Sequence, residues 1–301
     1  MKRVATAIAL TLVACGGGNS TPGDDVVDID AGVTPGGFVE LIGRDWEVPP
    51  GSADTYKCRR IMITEDMWIS GFRAVAPTGT HHTVVTFSNN STVLGDYDCS
   101  VGSLDIQMLY AAGVGTDELM FPPGVGMKLR AGQFVNLNLH LFNATDAAIS
   151  GTSGIEVKRV TEAEVVHEAD MTFAGTMDIN IPPDGLPHTT TGGCNVPAGG
   201  WNVFTLWPHM HQFATHQKFV ITPQGGAPQV LLDDAYSFSE QINYPMADTF
   251  IPAGTRVDTT CTFVNNGPGT VTFGDSSNQE MCFTGLYKYP AGGNLFQCAF
   301  N

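Results

Sequence analysis

The residues best equipped for chemistry in this sequence are His209 and His211, in Trp207-Pro208-His209-Met210-His211. Residues i and i+2 of an extended strand point to the same side, so the two imidazoles share one face and form half of a metal site. Met281, in Gln279-Glu280-Met281-Cys282, offers a third and softer ligand. Upstream stand the pair His81-His82 and the isolated His140, in Leu137-Asn138-Leu139-His140. Five of the eight histidines and one methionine thus fall into two sets of three. His167, His188 and His216 are read as non-ligands. The odd offset of His216 from His211 sends it to the opposite face of an ideal strand.

Neutral imidazole suits copper, zinc, iron and nickel, whereas a thioether is soft and selects Cu(I). Zinc is ordinarily held by Cys, His, Asp and Glu. A His-His-Met set therefore points to copper that cycles through Cu(I), and three protein ligands leave a position open for an exogenous molecule such as O2. The pair His81-His82 poses a geometric problem, because neighbours on a strand face opposite ways. Both reach one metal only across a bend or bulge, for which Pro77-Thr78-Gly79-Thr80 is the candidate.

The elements that must position these side chains read as β-strands. Short runs rich in Val, Ile, Thr and Phe (residues 68–75, 83–87, 134–142 and 155–160) are separated by Gly, Pro, Asn and Asp. The run 134–142 alternates apolar and polar residues, the period of a half-buried strand. Only residues 161–166 suggest helix, as a single turn. An all-β fold of two tandem antiparallel β-sandwiches is expected, with domains at 38–161 and 162–301 and a boundary near Thr161. The two halves repeat a turn-and-strand pattern, once at Ala131-Gly132-Gln133-Phe134 and again at Ala253-Gly254-Thr255-Arg256.

Ahead of the fold, residues 1–14 have the positive start and apolar run of an export signal. They end in Leu12-Val13-Ala14-Cys15-Gly16, which resembles a bacterial lipobox with lipidation at Cys15. Residues 15–37, rich in Gly and Asp, read as a flexible tether. The expected location is the bacterial cell envelope, on a membrane through the lipid anchor rather than across it. The net charge of −16, with no Lys/Arg cluster, excludes nucleic acid as a partner. Six cysteines remain after Cys15, namely Cys58, Cys99, Cys194, Cys261, Cys282 and Cys298. An even number in an exported chain suggests three disulfides, and six thiols alone allow about 15 pairings.

Five segments, in order, resemble the copper type II, ascorbate-dependent monooxygenases. They are Asp54-Thr55-Tyr56-Lys57-Cys58, His81-His82, Pro123-Gly124-Val125-Gly126 leading to Leu137-Asn138-Leu139-His140, His209-Met210-His211, and Glu280-Met281-Cys282. The resemblance implies two copper ions per chain. His81, His82 and His140 would hold one, which accepts electrons from a one-electron donor such as ascorbate. His209, His211 and Met281 would hold the other and act as the catalytic set, where O2 binds and a substrate C–H bond is hydroxylated. It also implies two jelly-roll-like sandwiches facing each other across a cleft, and disulfides Cys58–Cys99, Cys194–Cys298 and Cys261–Cys282.

The sequence departs from the peptide-amidating members of that family. Where they carry an arginine for the peptide carboxylate it has Trp207, and a carboxylate there loses its bidentate partner. Phe283 and Gly285 replace an asparagine and a tyrosine, with Tyr287 nearby, and Asn138 stands in place of a glutamine. The expectation is a small apolar or aromatic substrate in a cleft lined by Trp207, Phe283 and Tyr287. Two alternatives stand beside the monooxygenase. One is a non-catalytic copper-binding surface lipoprotein, which a cleft filled by Trp207 and Phe283 would favour. The other is a β-sandwich adhesion module with incidental histidines. The sequons at Asn90 and Asn143 are read as chance.

Overall fold

A computed structural model describes residues 37–100, 102–105 and 107–299; the leader, Cys15 and the tether up to residue 36 lie outside the described residues. The described chain is all-β, and the helical element among the described residues is a short 3-10 turn, Glu162–Glu164. That turn falls within the stretch expected to be helical, and the Glu164 carboxylate accepts the Thr161 main-chain N–H at 2.8 Å.

Four sheets of four or more strands make the body of the molecule. One contains Phe38–Val48, Ile149–Val160, Met67–Val75 and Val125–Leu129 in that order. The second runs Gly95–Asp98, Ser52–Met62, Phe134–Asn143, Thr80–Ser88, Gln107–Gly113. The third runs Asp170–Thr176, Cys282–Tyr289, Trp201–His209, Tyr244–Ile251, and the fourth Pro187–Asn195, Arg256–Val264, Ala214–Thr222, Gln229–Ala235. The strands named pair antiparallel with one another. The short strand His167–Glu168 runs parallel to Val125–Gly126 and carries the chain from the first two sheets to the last two.

The pattern of apolar residues sets which faces meet. Val135, Leu137, Leu139 and Leu141 of the strand Phe134–Asn143 are fully buried on one face. The sequence suggests that this strand is half-exposed, yet Asn136, Asn138 and His140 on its other face are buried as well. The loop after Cys99 covers that face, because Asn136 and Asn138 donate to the carbonyls of Ser103 (2.8 Å) and Ser100 (2.9 Å). A polar side chain can be buried at little cost when a carbonyl meets it, so alternation alone misjudged its exposure.

One apolar core runs through both halves. Phe121 lies 5.0 Å from Phe204 and 6.3 Å from Tyr287, ring centre to ring centre, and Phe72 stacks on Tyr110. Contacts of this kind, together with burial of the surrounding area, hold the sheets of the two halves in fixed register. Three disulfides, Cys58–Cys99, Cys194–Cys298 and Cys261–Cys282, have the pairing the resemblance implies. Cys261–Cys282 joins the third and fourth sheets at the residue after Met281. Asn143 is buried and donates to three carbonyls, of Val48, Pro49 and Ala147, which leaves its amide committed to the fold.

Candidate functional site

His140 lies near the centre of the second sheet, with Tyr56 across from it on one side and His82 on the other. Thr80 pairs with Leu141 and His82 with His140, so His81 is the extra residue of a β-bulge. The bend that His81-His82 requires is therefore inside their own strand, at His81. The bulge turns both rings to the same side. Nδ1 of His82 lies 3.1 Å from Nδ1 of His81 and 3.4 Å from Nδ1 of His140. One ligand atom from each of the three residues falls within 4.8 Å of the others.

A second irregularity lies on the other side of His140. Ser52 pairs with Asn143 and Thr55 with Leu141, and between them Asp54 adopts a left-handed φ of 50°. This aims its Oδ1 at Nε2 of His140, 2.9 Å away. The carboxylate can only accept, so the proton sits on Nε2 and the Nδ1 lone pair faces the other two histidines. Tyr56 stacks on the His140 ring at 4.7 Å and 6°, fixing its plane. Burial pushes the His82 ring well below the ordinary imidazole pKa. It takes His140 down to about 4, with His81 adding to the effect and Asp54 opposing it. Neutral imidazoles are what a metal ion requires.

The second set forms at the end of the strand Trp201–His209. His209 pairs with Phe283, and the chain then turns through Met210 and His211. A buried carboxylate, Glu280, holds that turn. Its oxygens accept the main-chain N–H groups of His211 (2.8 Å), Phe213 (2.7 Å) and Met281 (3.2 Å). One side chain thus ties two of the proposed ligands to each other through their backbones. The Tyr236 hydroxyl donates to the Met210 carbonyl at 2.6 Å and accepts the Met210 N–H at 3.1 Å. Nδ1 of His211 donates to the Gln279 carbonyl at 3.1 Å, and Nδ1 of His209 lies 3.1 Å from Oε1 of Gln241. Both rings therefore keep Nε2 for a ligand, the opposite choice from His140. Burial lowers the pKa of both, His209 to about 3 with His211 contributing.

A cavity of about 620 Å³ is lined by residues from both sets. His82 faces it from the first half, and His209, His211 and Met281 face it from the second. Phe173, Trp207, Phe283 and Phe296 make an apolar wall, while Thr86, Asn89 and Asn138 make a more polar one. Trp207 stacks on His209 at 4.8 Å. Tyr287 does not belong to this lining. It shares the strand face of Phe283 but lies four residues, about 13 Å, further along, and is fully buried in the core beside Phe121 and Phe204. The remaining histidines are engaged elsewhere: His167 stacks on Tyr289, His188 meets Asp184, and His216 meets Asp233.

Gln241, Phe238 and Tyr236 carry roles that the sequence reading missed, and Asp54 and Glu280 were noticed only as parts of motifs. Asp54 and Glu280 sit within two residues of a site residue, a weak signal for both. Gln241, Phe238 and Tyr236 belong to the distant loop 236–243, which has no such signal.

The donor sets suit copper. The first brings three imidazoles together, and Met281, which lines the same cavity as His209 and His211, carries a thioether, a soft donor that favours Cu(I). All six described cysteines are in disulfides, so no thiolate is free to make a blue-copper site. No curated protein matches the chain. Residues 168–300 match the family model "Copper type II ascorbate-dependent monooxygenase, C-terminal domain", a span that contains His209, His211 and Met281 and leaves the first histidine set outside it. Over that span the chain is similar to the copper type II ascorbate-dependent monooxygenases.

Proposed function

We propose that this protein is a copper monooxygenase that hydroxylates a C–H bond of a small, apolar or aromatic molecule, using O2 and a one-electron reductant such as ascorbate. The observation that supports this reading is one cavity lined by His82, a member of the clustered His81, His82 and His140, from the first half and by His209, His211 and Met281 from the second. His81, His82 and His140 would hold one copper ion, and His209, His211 and Met281 a second. Copper, when bound, supplies one-electron redox chemistry and an open position for O2.

The chain's own residues do the rest. Phe173, Trp207, Phe283 and Phe296 give the substrate an apolar surface and keep water from it. Among the described residues that line the cavity none is Lys or Arg, so an anionic substrate would find no lysine or arginine to pair with. Asp54, Gln241 and the Gln279 carbonyl hold the rings with one chosen nitrogen forward. Trp207 and Phe283 lie in the wall and leave the cavity open, which favours catalysis over a non-catalytic copper-binding lipoprotein.

The division into 38–161 and 162–301 accompanies this reading, with His167–Glu168 as the crossover strand. The three disulfides fit an oxidising compartment outside the cytosol, and export with lipidation at Cys15 in the cell envelope goes with this reading as a further proposal. The test is oxygen uptake by the copper-loaded protein with ascorbate and a panel of neutral aromatic and aliphatic compounds, set against C-terminal-glycine peptides. Uptake coupled to hydroxylation of a neutral compound is expected. Turnover of peptides alone, lost on amidation of their carboxylate, would overturn the substrate assignment.

A further inference from the structure

The loop 236–243 joins the strands Gln229–Ala235 and Tyr244–Ile251 of the second half, yet its far end rests on the first half. The Gln241 carbonyl accepts the Gly113 N–H at 3.0 Å and the Thr116 hydroxyl at 3.2 Å. Two residues on, Asn243 donates to the Ala111 carbonyl at 3.1 Å. Gly113 is the strand partner of His82. Its glycine is required by this contact, because a Cβ there would come within 2.7 Å of the Gln241 nitrogen.

The Gln241 side chain reaches the other way. Its Nε2 donates to the Phe238 carbonyl at 3.3 Å, which settles the orientation of the amide and leaves Oε1 toward His209. An oxygen acceptor there requires the His209 proton on Nδ1. Between the two contacts the Phe238 ring sits 5.0 Å from His81 and 6.0 Å from His211, centre to centre, touching both histidine sets. Gln241 itself is buried.

We propose that Gln241 is a positioning residue that couples the two metal sites. Its side-chain oxygen fixes the His209 tautomer so that Nε2 faces the cavity. Its main-chain carbonyl clasps the strand beside His82, so that the loop sets one histidine set against the other across the cleft. The inference rests on the copper reading for its purpose, but its geometry can be tested without copper.

The experiment is nitrogen-15 histidine NMR on the copper-free full chain, with copper titration of the same variants. Gln241→Leu removes the acceptor and should release His209 from the pure Nδ1–H tautomer and weaken copper at the second site about 10- to 100-fold. Gln241→Glu keeps an acceptor and should restore the tautomer, which a merely structural role would not predict. The clasp is tested by Gly113→Ala and, should that variant fail to fold, by Thr116→Val. Either should speed amide exchange in the loop 236–243, about fivefold for the lost threonine bond. A His209 tautomer unchanged in Gln241→Leu, or loop exchange unchanged in the clasp variants, overturns the proposal. A fixed tautomer with no copper bound at His209 would instead count against the copper reading and leave the positioning role standing.

Discussion

The carboxylate of Glu280 accepts the main-chain N–H of His211 at 2.8 Å while its other oxygen takes that of Phe213 at 2.7 Å, all within a buried turn. The same carboxylate holds the N–H of Met281, so the two strands that bring imidazole and thioether to the cavity share one buried anchor. Removing it in Glu280→Ala leaves these donors without partners, at about 1–3 kcal/mol for each buried group left unpaired. The expected outcome is a melting temperature lowered by several degrees and loss of one of two coppers. Glu280→Gln keeps the shape but turns an NH2 toward one of the donors, and should fall between. Calorimetry with metal analysis checks both, and wild-type copper content in Glu280→Ala would count against the anchor.

Asp54 is half exposed and contributes little to stability, yet it determines which nitrogen of His140 is free. Asp54→Ala should lower copper affinity at the first site about 10- to 100-fold, with a change in melting temperature near zero. Asp54→Asn, which retains an acceptor oxygen, should recover most of that affinity. Competition with a Cu(I) chelator measures the effect.

Met281 offers a thioether that an isobranched hydrocarbon cannot replace as a ligand. Met281→Ile should abolish turnover and leave one copper bound at His81, His82 and His140. Because Met281 is partly buried at the edge of the core, the expected loss of stability is small, about 1 kcal/mol. Copper analysis and oxygen uptake on the same sample separate the two effects.

The copper-free protein should lose stability as pH falls below neutral. His82, His140, His209 and His211 have pKa values depressed by burial, His140 to about 4 and His209 to about 3, against an ordinary value of 6.5. Between 6.5 and those values the unfolded chain binds more protons than the folded one, so stability drops as pH is lowered through that window. His81 is lowered by burial too. Glu280 acts in the opposite sense because burial raises it to about 7 from 4.5, and burial also raises Asp105 and Asp170, so the five histidines are opposed by three carboxyls. Each unit of net depression is worth about 1.4 kcal/mol. Melting of the copper-free protein from pH 7.5 to 4.5 checks the sign, and a flat or rising profile would contradict it.

The strands and their core faces were legible because apolar alternation is a local signal, as in Val135, Leu137, Leu139 and Leu141. Residues that belong to the family's short motifs, His140 and Met281 among them, were equally visible. What could not be read were contacts whose partners lie far apart in sequence. The His81 bulge is visible only against its partner strand. Gln241 reaches His209 and Gly113 through a loop whose composition gives no sign of either contact. The misplacement of Tyr287 has a related cause, since strand periodicity gives the face of a residue but not where along the strand a cavity ends.

The most direct test is X-ray absorption at the copper edge of the fully reduced protein, with copper counted per chain. Two coppers are expected, with nitrogen ligands at both and a single sulfur shared over the pair, and Met281→Ile should remove the sulfur and one copper together. A single copper per chain, or a sulfur signal that survives in Met281→Ile, would contradict two sites facing one cavity.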